Sequence, residues 1–193
     1  MSLDDQERWD RQYAERAASE RPSAFLQRIL DSGHWEIPTG RALDIACGSG
    51  RNALFLAARS FRVDAVDISP VGLEQATARA RTKSLSISWQ RADLQSTALP
   101  EAAYDLVVDI NYLQRSLISG LQAALKPGGW IVFETFLIDQ QTIGHPKNPD
   151  YLLAHNELMD WFRGFRIHYY REGKFADDGE PSFRAGLLAQ KSR

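Results

Sequence analysis

Three carboxylates sit in or just beyond three short strand-like runs: Asp44 in Leu43-Asp44-Ile45-Ala46, Asp67 closing Val63-Asp64-Ala65-Val66, and Asp93 in Ala92-Asp93-Leu94. Acids grouped in this way suit a ligand rich in donors and positive charge, because a carboxylate accepts hydrogen bonds and attracts cations. Inside an apolar strand, as at Asp44, a carboxylate is costly unless something pairs with it. The first run leads into Cys47-Gly48-Ser49-Gly50-Arg51-Asn52 and then into the helix formers Ala53-Leu54-Phe55-Leu56-Ala57-Ala58. Strand, glycine turn and helix together make a nucleotide cradle. Glycine lets the backbone bend sharply and a ligand approach, and the helix start offers unpaired N–H groups. Asp67 follows Gly48 by about the 20 residues at which a ribose-binding acid is expected. A plain tight turn would need none of these acids.

The elements that must position these residues alternate along the chain. A charged helix is expected from Asp4 to Ser19, with Trp9 and Tyr13 four apart on one face, either as a packing stripe or as a flap over a ligand. Pro22 is expected to open a second helix carrying Phe25, Leu26, Ile29 and Leu30. Strands are expected at 43–46, 63–67, 87–90, 104–109 and 130–133, with Ser69 capping a helix that starts at Pro70. Leu113, Leu117, Leu121 and Leu125 make one helix stripe, which Lys126-Pro127-Gly128-Gly129 stops. Leu137 to Pro149 is too irregular for an element, and a loop of that kind in a compact domain is usually functional or disordered. A short helix over 156–162 precedes strands at 166–171 and 183–190, which pair as an antiparallel hairpin. Strands alternating with helices imply a parallel sheet covered on both faces.

The 193 residues fit one domain with a sizeable core, at 44% hydrophobic and 25% charged. Lys and Arg number 23 against 25 Asp and Glu, a net of −2, which leaves no electrostatic footprint for nucleic acid or an anionic membrane. Cys47 is the single cysteine, so no internal disulfide forms, and it reads as a small buried residue of the turn. The polar, acidic start Met1 to Glu7 is unlike a signal peptide, and no apolar run approaches the ~18 residues of a membrane span. A cytoplasmic protein, monomer or homodimer, is expected.

Asp44-Ile45-Ala46-Cys47-Gly48-Ser49-Gly50 resembles the first motif of class I S-adenosylmethionine-dependent methyltransferases. Asp67, Ala92-Asp93-Leu94, Tyr104-Asp105-Leu106-Val107 and Leu125 to Gly129 resemble the later motifs in order and spacing. Ala46 to Asn52, the segment Gly144-His145-Pro146-Lys147-Asn148-Pro149-Asp150-Tyr151-Leu152-Leu153 and Glu157-Leu158 are most similar to the small tellurite-resistance-type members. Ala46 departs from the glycine many of them carry. The resemblance implies a single α/β domain over 1–193: N-terminal helices capping at 1–38, then a Rossmann-like core over 41–193. That core is a doubly wound, mostly parallel seven-stranded sheet with helices on both faces and a C-terminal antiparallel hairpin.

It also implies S-adenosylmethionine as cofactor and no metal. Asp44, Ala46, Gly48 and Gly50 would hold the methionine end, Asp67 the ribose, and Ile68 would pack on the adenine. Asp93 would take the adenine amino group between Ala92 and Leu94. Asp109 and Ile110 would lie near the sulfonium, and Trp9 and Tyr13 would close the site. Tyr112, Arg115, Glu134 and His145 are the candidates around the transferred methyl, which would pass to a small thiol, amine or metalloid oxyanion. Two rivals remain. A nicotinamide-dependent oxidoreductase would share the turn and Asp67 without needing Asp44 or Asp93. A non-catalytic cofactor-binding protein would keep the fold and lose the acids.

Overall fold

The computed structural model describes residues 3–15, 19–177 and 179–193, without the side chains of Leu3 and Asp4. The expected extension of the first helix through residues 16–18 lies outside them. Seven strands form one sheet: β1 (Arg41–Ile45), β2 (Arg62–Asp67), β3 (Ile87–Arg91), β4 (Tyr104–Ile110), β5 (Leu125–Phe136), β6 (Arg166–Phe175) and β7 (Ser182–Gln190). Their order is β3-β2-β1-β4-β5-β7-β6, parallel from β3 to β5, with β7 antiparallel to both β5 and β6. The strand order reverses between β1 and β4, which opens a crevice beyond their carboxyl ends.

Side chains alternate between two cores. Leu43, Ile45, Val107, Ile131 and Phe133 face one side, and Ala42, Leu106, Val108 and Val132 face the other. The first face is covered by α5 (Ile118–Ala124) and α6 (Glu157–Trp161). The second takes α2 (Ala24–Asp31) and α3 (Arg51–Ala57), with α4 (Pro70–Thr82) contributing Leu73. Ser69 caps α4 by accepting from the Gly72 N–H at 3.0 Å, and Pro70 supplies the preset first turn.

The 1–38 cap is corrected by α2. Phe25, Leu26 and Ile29 are wholly buried in the second core, each contributing about 1.5–3 kcal/mol of apolar burial. Ser23 rather than Pro22 opens that helix, accepting from the Leu26 N–H. The part of 1–38 that lies over the crevice is α1 (Leu3–Glu15) with Ser19, and α1 is tied by hydrogen bonds from Ser69, the cap of α4, to Asp10 and from Gln75 to the Tyr13 carbonyl.

The leucine stripe is also shorter than expected. A single 3-10 turn at Arg115–Leu117 precedes α5, and Leu125 already pairs with Tyr104 as sheet. The pairing of β4 with β5 shifts register between Tyr104 and Leu106, across the Lys126–Gly129 turn, where Lys126 Nζ holds the Asp105 carboxylate at 2.8 Å. The irregular loop contains 3-10 helices at Ile138–Thr142 and Pro149–Tyr151.

Candidate functional site

A cavity of about 340 Å³ occupies the crevice beyond the carboxyl ends of β1 and β4. Its floor is the turn Ala46-Cys47-Gly48-Ser49 and the start of α3 at Arg51 and Asn52. Asp67 and Ile68 form one wall with Leu94, Ile110, Asn111 and Tyr112 form the other, and Trp9, Gln12 and Tyr13 of α1 form the roof.

The turn requires its glycines. Gly48 and Gly50 have φ of +53° and +81°, where side chains are strained. A Cβ on Gly48 would collide with the Tyr13 hydroxyl, and one on Gly50 would lie 2.8 Å from the Ala76 Cβ. Ala46 shares the same backbone region at φ 48°. This accounts for glycine being common at the position, since alanine is strained there by about 1–2 kcal/mol. Ala46→Gly is therefore expected to raise unfolding stability by about 0.5–1 kcal/mol after the entropy of the freer unfolded chain. A urea midpoint unchanged or lowered would contradict that account.

Asp67 is 5% exposed and fastens the turn from the neighbouring strand. Its Oδ2 accepts from the Gly48 N–H at 2.7 Å and its Oδ1 from the Ser69 N–H at 2.8 Å. Burial raises its pKa, and those two N–H groups work the other way. Asp44 lies directly under the floor, 1% exposed, and one of its oxygens has no partner. Burial pushes it up to about 7, against the Ala53 N–H and Arg51. Asp109 is buried on the opposite face of the sheet, with one unpartnered oxygen, and is raised by burial and by Asp44. The Tyr112 hydroxyl is likewise buried and unpartnered. Of these three orphaned polar atoms only the Tyr112 hydroxyl belongs to a residue of the cavity wall, and each costs free energy until a ligand or water meets it.

Of the three acids that open the sequence reading, only Asp67 lines the cavity. Asp44 backs it, and Asp93 stands beside it with its Oδ1 accepting from the Gln95 N–H at 2.9 Å. Ala92 stays off the wall, while Leu94 is on it.

Among the candidates for chemistry, Tyr112 is at the cavity and three are elsewhere. Arg115 grips Glu157 at 2.6 and 3.0 Å and donates to the carbonyls of Asp150 and Leu152, so it ties a loop together. Glu134 is 1% exposed and paired with Arg171 at 2.6 Å, an ion pair inside the core. His145 is exposed in the loop and does not line the cavity. Sequence reasoning assigned no role to Arg51, Asn52 or Asn111. The first two stand beside Gly50, a usable signal; Asn111 carries no local mark.

The descriptive family "Methyltransferase domain" matches residues 42–129. An uncharacterized methyltransferase of Mycobacterium tuberculosis is 34% identical over 108 residues, covering 52% of this chain and 54% of that protein. A probable thiol methyltransferase of Arabidopsis thaliana is 26% identical over 135 residues, covering 65% of this chain and 58% of that protein. The chain thus spans about half the length of the curated relatives it matches. TehB from Haemophilus influenzae superposes with a TM-score of 0.73 at 21% identity, over 97% of this chain and 67% of that one.

Proposed function

We propose that this chain, whose residues 42–129 match a methyltransferase domain, is a class I S-adenosylmethionine-dependent enzyme that methylates a small-molecule nucleophile. The observation that carries the reading is the cavity over the glycine turn, whose lining joins Asp67 and the orphaned Tyr112 hydroxyl, with the orphaned carboxylate oxygens of Asp44 and Asp109 buried outside the lining. A ligand bearing a sulfonium, an ammonium and vicinal hydroxyls would give donors to the lining acceptors and positive charge to the buried carboxylates near them. The pyrophosphate of a nicotinamide dinucleotide would bring more negative charge to the same acids. That disfavours the oxidoreductase reading.

In this reading Asp67 accepts from the ribose hydroxyls, and Ile68 and Leu94 pack against the adenine. Asp93 reaches the adenine amino group only by turning from Gln95. Asp44 serves the ammonium under the turn of Ala46, Gly48 and Gly50, and Arg51 faces the methionine carboxylate. Asp109 and Ile110 flank the sulfur, and Trp9 and Tyr13, whose rings stack 6.0 Å apart, close the roof.

The bound cofactor supplies a methyl group on a positively charged sulfur, already a good leaving group. The chain then has to align the acceptor in line with that bond and exclude water. Alignment alone supplies ~7–11 kcal/mol of the barrier. No described lining residue is poised as a base. Burial holds Tyr13, Tyr112 and the Cys47 thiol protonated far above neutrality, and Asp67 is engaged by two backbone N–H groups. The acceptor is therefore one that attacks without a base from the protein, such as a thiolate, a neutral amine or a metalloid oxyanion, whereas an alcohol would first have to give up its proton. The name of the Arabidopsis relative states a thiol acceptor for that protein.

Calorimetry with S-adenosylmethionine against NADH and NADPH tests the cofactor. Binding of a nicotinamide dinucleotide alone would reverse the choice. Methyl transfer to a panel of thiols, amines, metalloid oxyanions and alcohols tests the acceptor, and a preference for alcohols would sink the base-free mechanism. Asp67→Ala removes charge-assisted bonds of about 1.5–3 kcal/mol each, so S-adenosylmethionine should bind about ten- to a hundred-fold more weakly. Unchanged affinity in that variant would displace the site.

A further inference from the structure

Asn111 sits at the tip of β4, between Ile110 and Tyr112, and all three line the cavity. Its backbone is left-handed, with φ 64°, a conformation asparagine tolerates better than most residues. Both ends of the residue are fixed. Its N–H donates to the Glu134 carbonyl at 2.8 Å, and its Oδ1 accepts from Arg184 Nη1 at 2.6 Å. Arg184 is itself immobilised: 8% exposed, its Nε donating to Ser182 Oγ at 2.7 Å and its guanidinium 4.2 Å from the centre of the Phe136 ring. Its Nη1 also lies 3.7 Å from the buried Glu134 carboxylate.

A guanidinium has only donors, so it dictates which way the carboxamide faces. The oxygen must turn to Arg184, and the two amide N–H bonds must turn the other way. The same contact polarises the amide and makes those N–H groups stronger donors. A buried cation thus stands behind the cavity wall with a neutral amide between it and the ligand. That arrangement suits a negatively charged acceptor without placing a full positive charge beside the cofactor's sulfonium.

Resting on the reading above, we propose that Asn111 is a specificity-determining residue that presents its amide N–H groups to an anionic atom of the methyl acceptor, with Arg184 as its positioning residue. The acceptor class is a small anion, carrying its charge on the nucleophile or on an oxygen next to it. Neutral nucleophiles of the same size gain nothing from this device.

The test uses the full chain loaded with S-adenosylhomocysteine, titrated with mercaptoacetate and with ethanethiol, two thiols that differ in the carboxylate. The wild-type protein should bind mercaptoacetate about ten-fold or more tightly than ethanethiol. Asn111→Asp keeps an oxygen for Arg184 and replaces the donors with an acceptor. It should abolish that preference, bringing the ratio of the two thiol affinities to about one. Arg184→Lys keeps the charge and loses the fork, and it should weaken mercaptoacetate binding in the same direction with the S-adenosylhomocysteine affinity unchanged. Equal binding of the two thiols by the wild type, or a preference that survives in Asn111→Asp, would overturn the proposal. The second result is what a merely structural bond to Arg184 gives. Failure of the wild type to bind S-adenosylhomocysteine at all would instead remove the cofactor reading.

Discussion

Glu134→Gln is expected to cost about 3–5 kcal/mol of stability, because it strips a buried guanidinium of its charge partner. Glu134 and Arg171 are 1% and 7% exposed and meet at 2.6 Å in the interior of the sheet. Arg171 also reaches Asp177, and its guanidinium lies 4.8 Å from the centre of the Phe25 ring and 4.3 Å from that of Phe175. It therefore joins α2, β5, β6 and the hairpin turn. Asp177 is the more exposed of its two partners and cannot replace the buried one. In a chain of this size the loss corresponds to a fall in melting temperature of about 10 °C or more. Glu134→Leu combined with Arg171→Met should recover most of it, since an apolar pair of similar volume is often neutral against a buried ion pair. A melting temperature unmoved by Glu134→Gln would show that the pair contributes nothing.

The second large effect is a pH dependence from Asp44. Its carboxyl is pushed up to about 7 by burial under the turn, with Arg51 and the Ala53 N–H opposing and Asp67 adding to the rise. In the unfolded chain an aspartate titrates near ~3.9. The folded protein thus holds a proton that the unfolded chain has already lost. Stability from this group is complete below the unfolded value and declines as pH rises toward 7, at ~1.4 kcal/mol per pH unit. Asp44→Asn removes the titration. The stability difference between wild type and variant, read from urea midpoints, should therefore shift against the wild type between about pH 4 and pH 7. A cationic ligand beside Asp44 favours the ionised form. S-adenosylmethionine should then bind more tightly as pH rises through 7 and release a proton, which calorimetry in buffers of different protonation enthalpy would detect. A pH-independent difference would mean that Asp44 keeps an ordinary carboxylate pKa.

Elements with a strong local period or a local cap are legible in the sequence. The glycine turn was readable because only glycine adopts its backbone without strain, and Ser69-Pro70 because a hydroxyl and a ring of fixed φ both favour a helix start. The leucine stripe misled. Leu125 keeps helical spacing, yet it gains more as a sheet partner of Tyr104. The second helix reads as part of a cap because its residues show an apolar face without showing what lies against it. In the fold that partner is the sheet itself.

Sequence by itself determined the order of strands and helices, the cradle and the acids at the strand tips, because those depend on neighbours a few residues apart. Tertiary structure alone decided which charges were already spent. Arg115 meets Glu157 across 42 residues, Glu134 meets Arg171 across 37, and Asn111 meets Arg184 across 73. A charged side chain looks the same in sequence whether it waits for a ligand or closes an ion pair. Only the packing of elements distant in the chain tells the two apart.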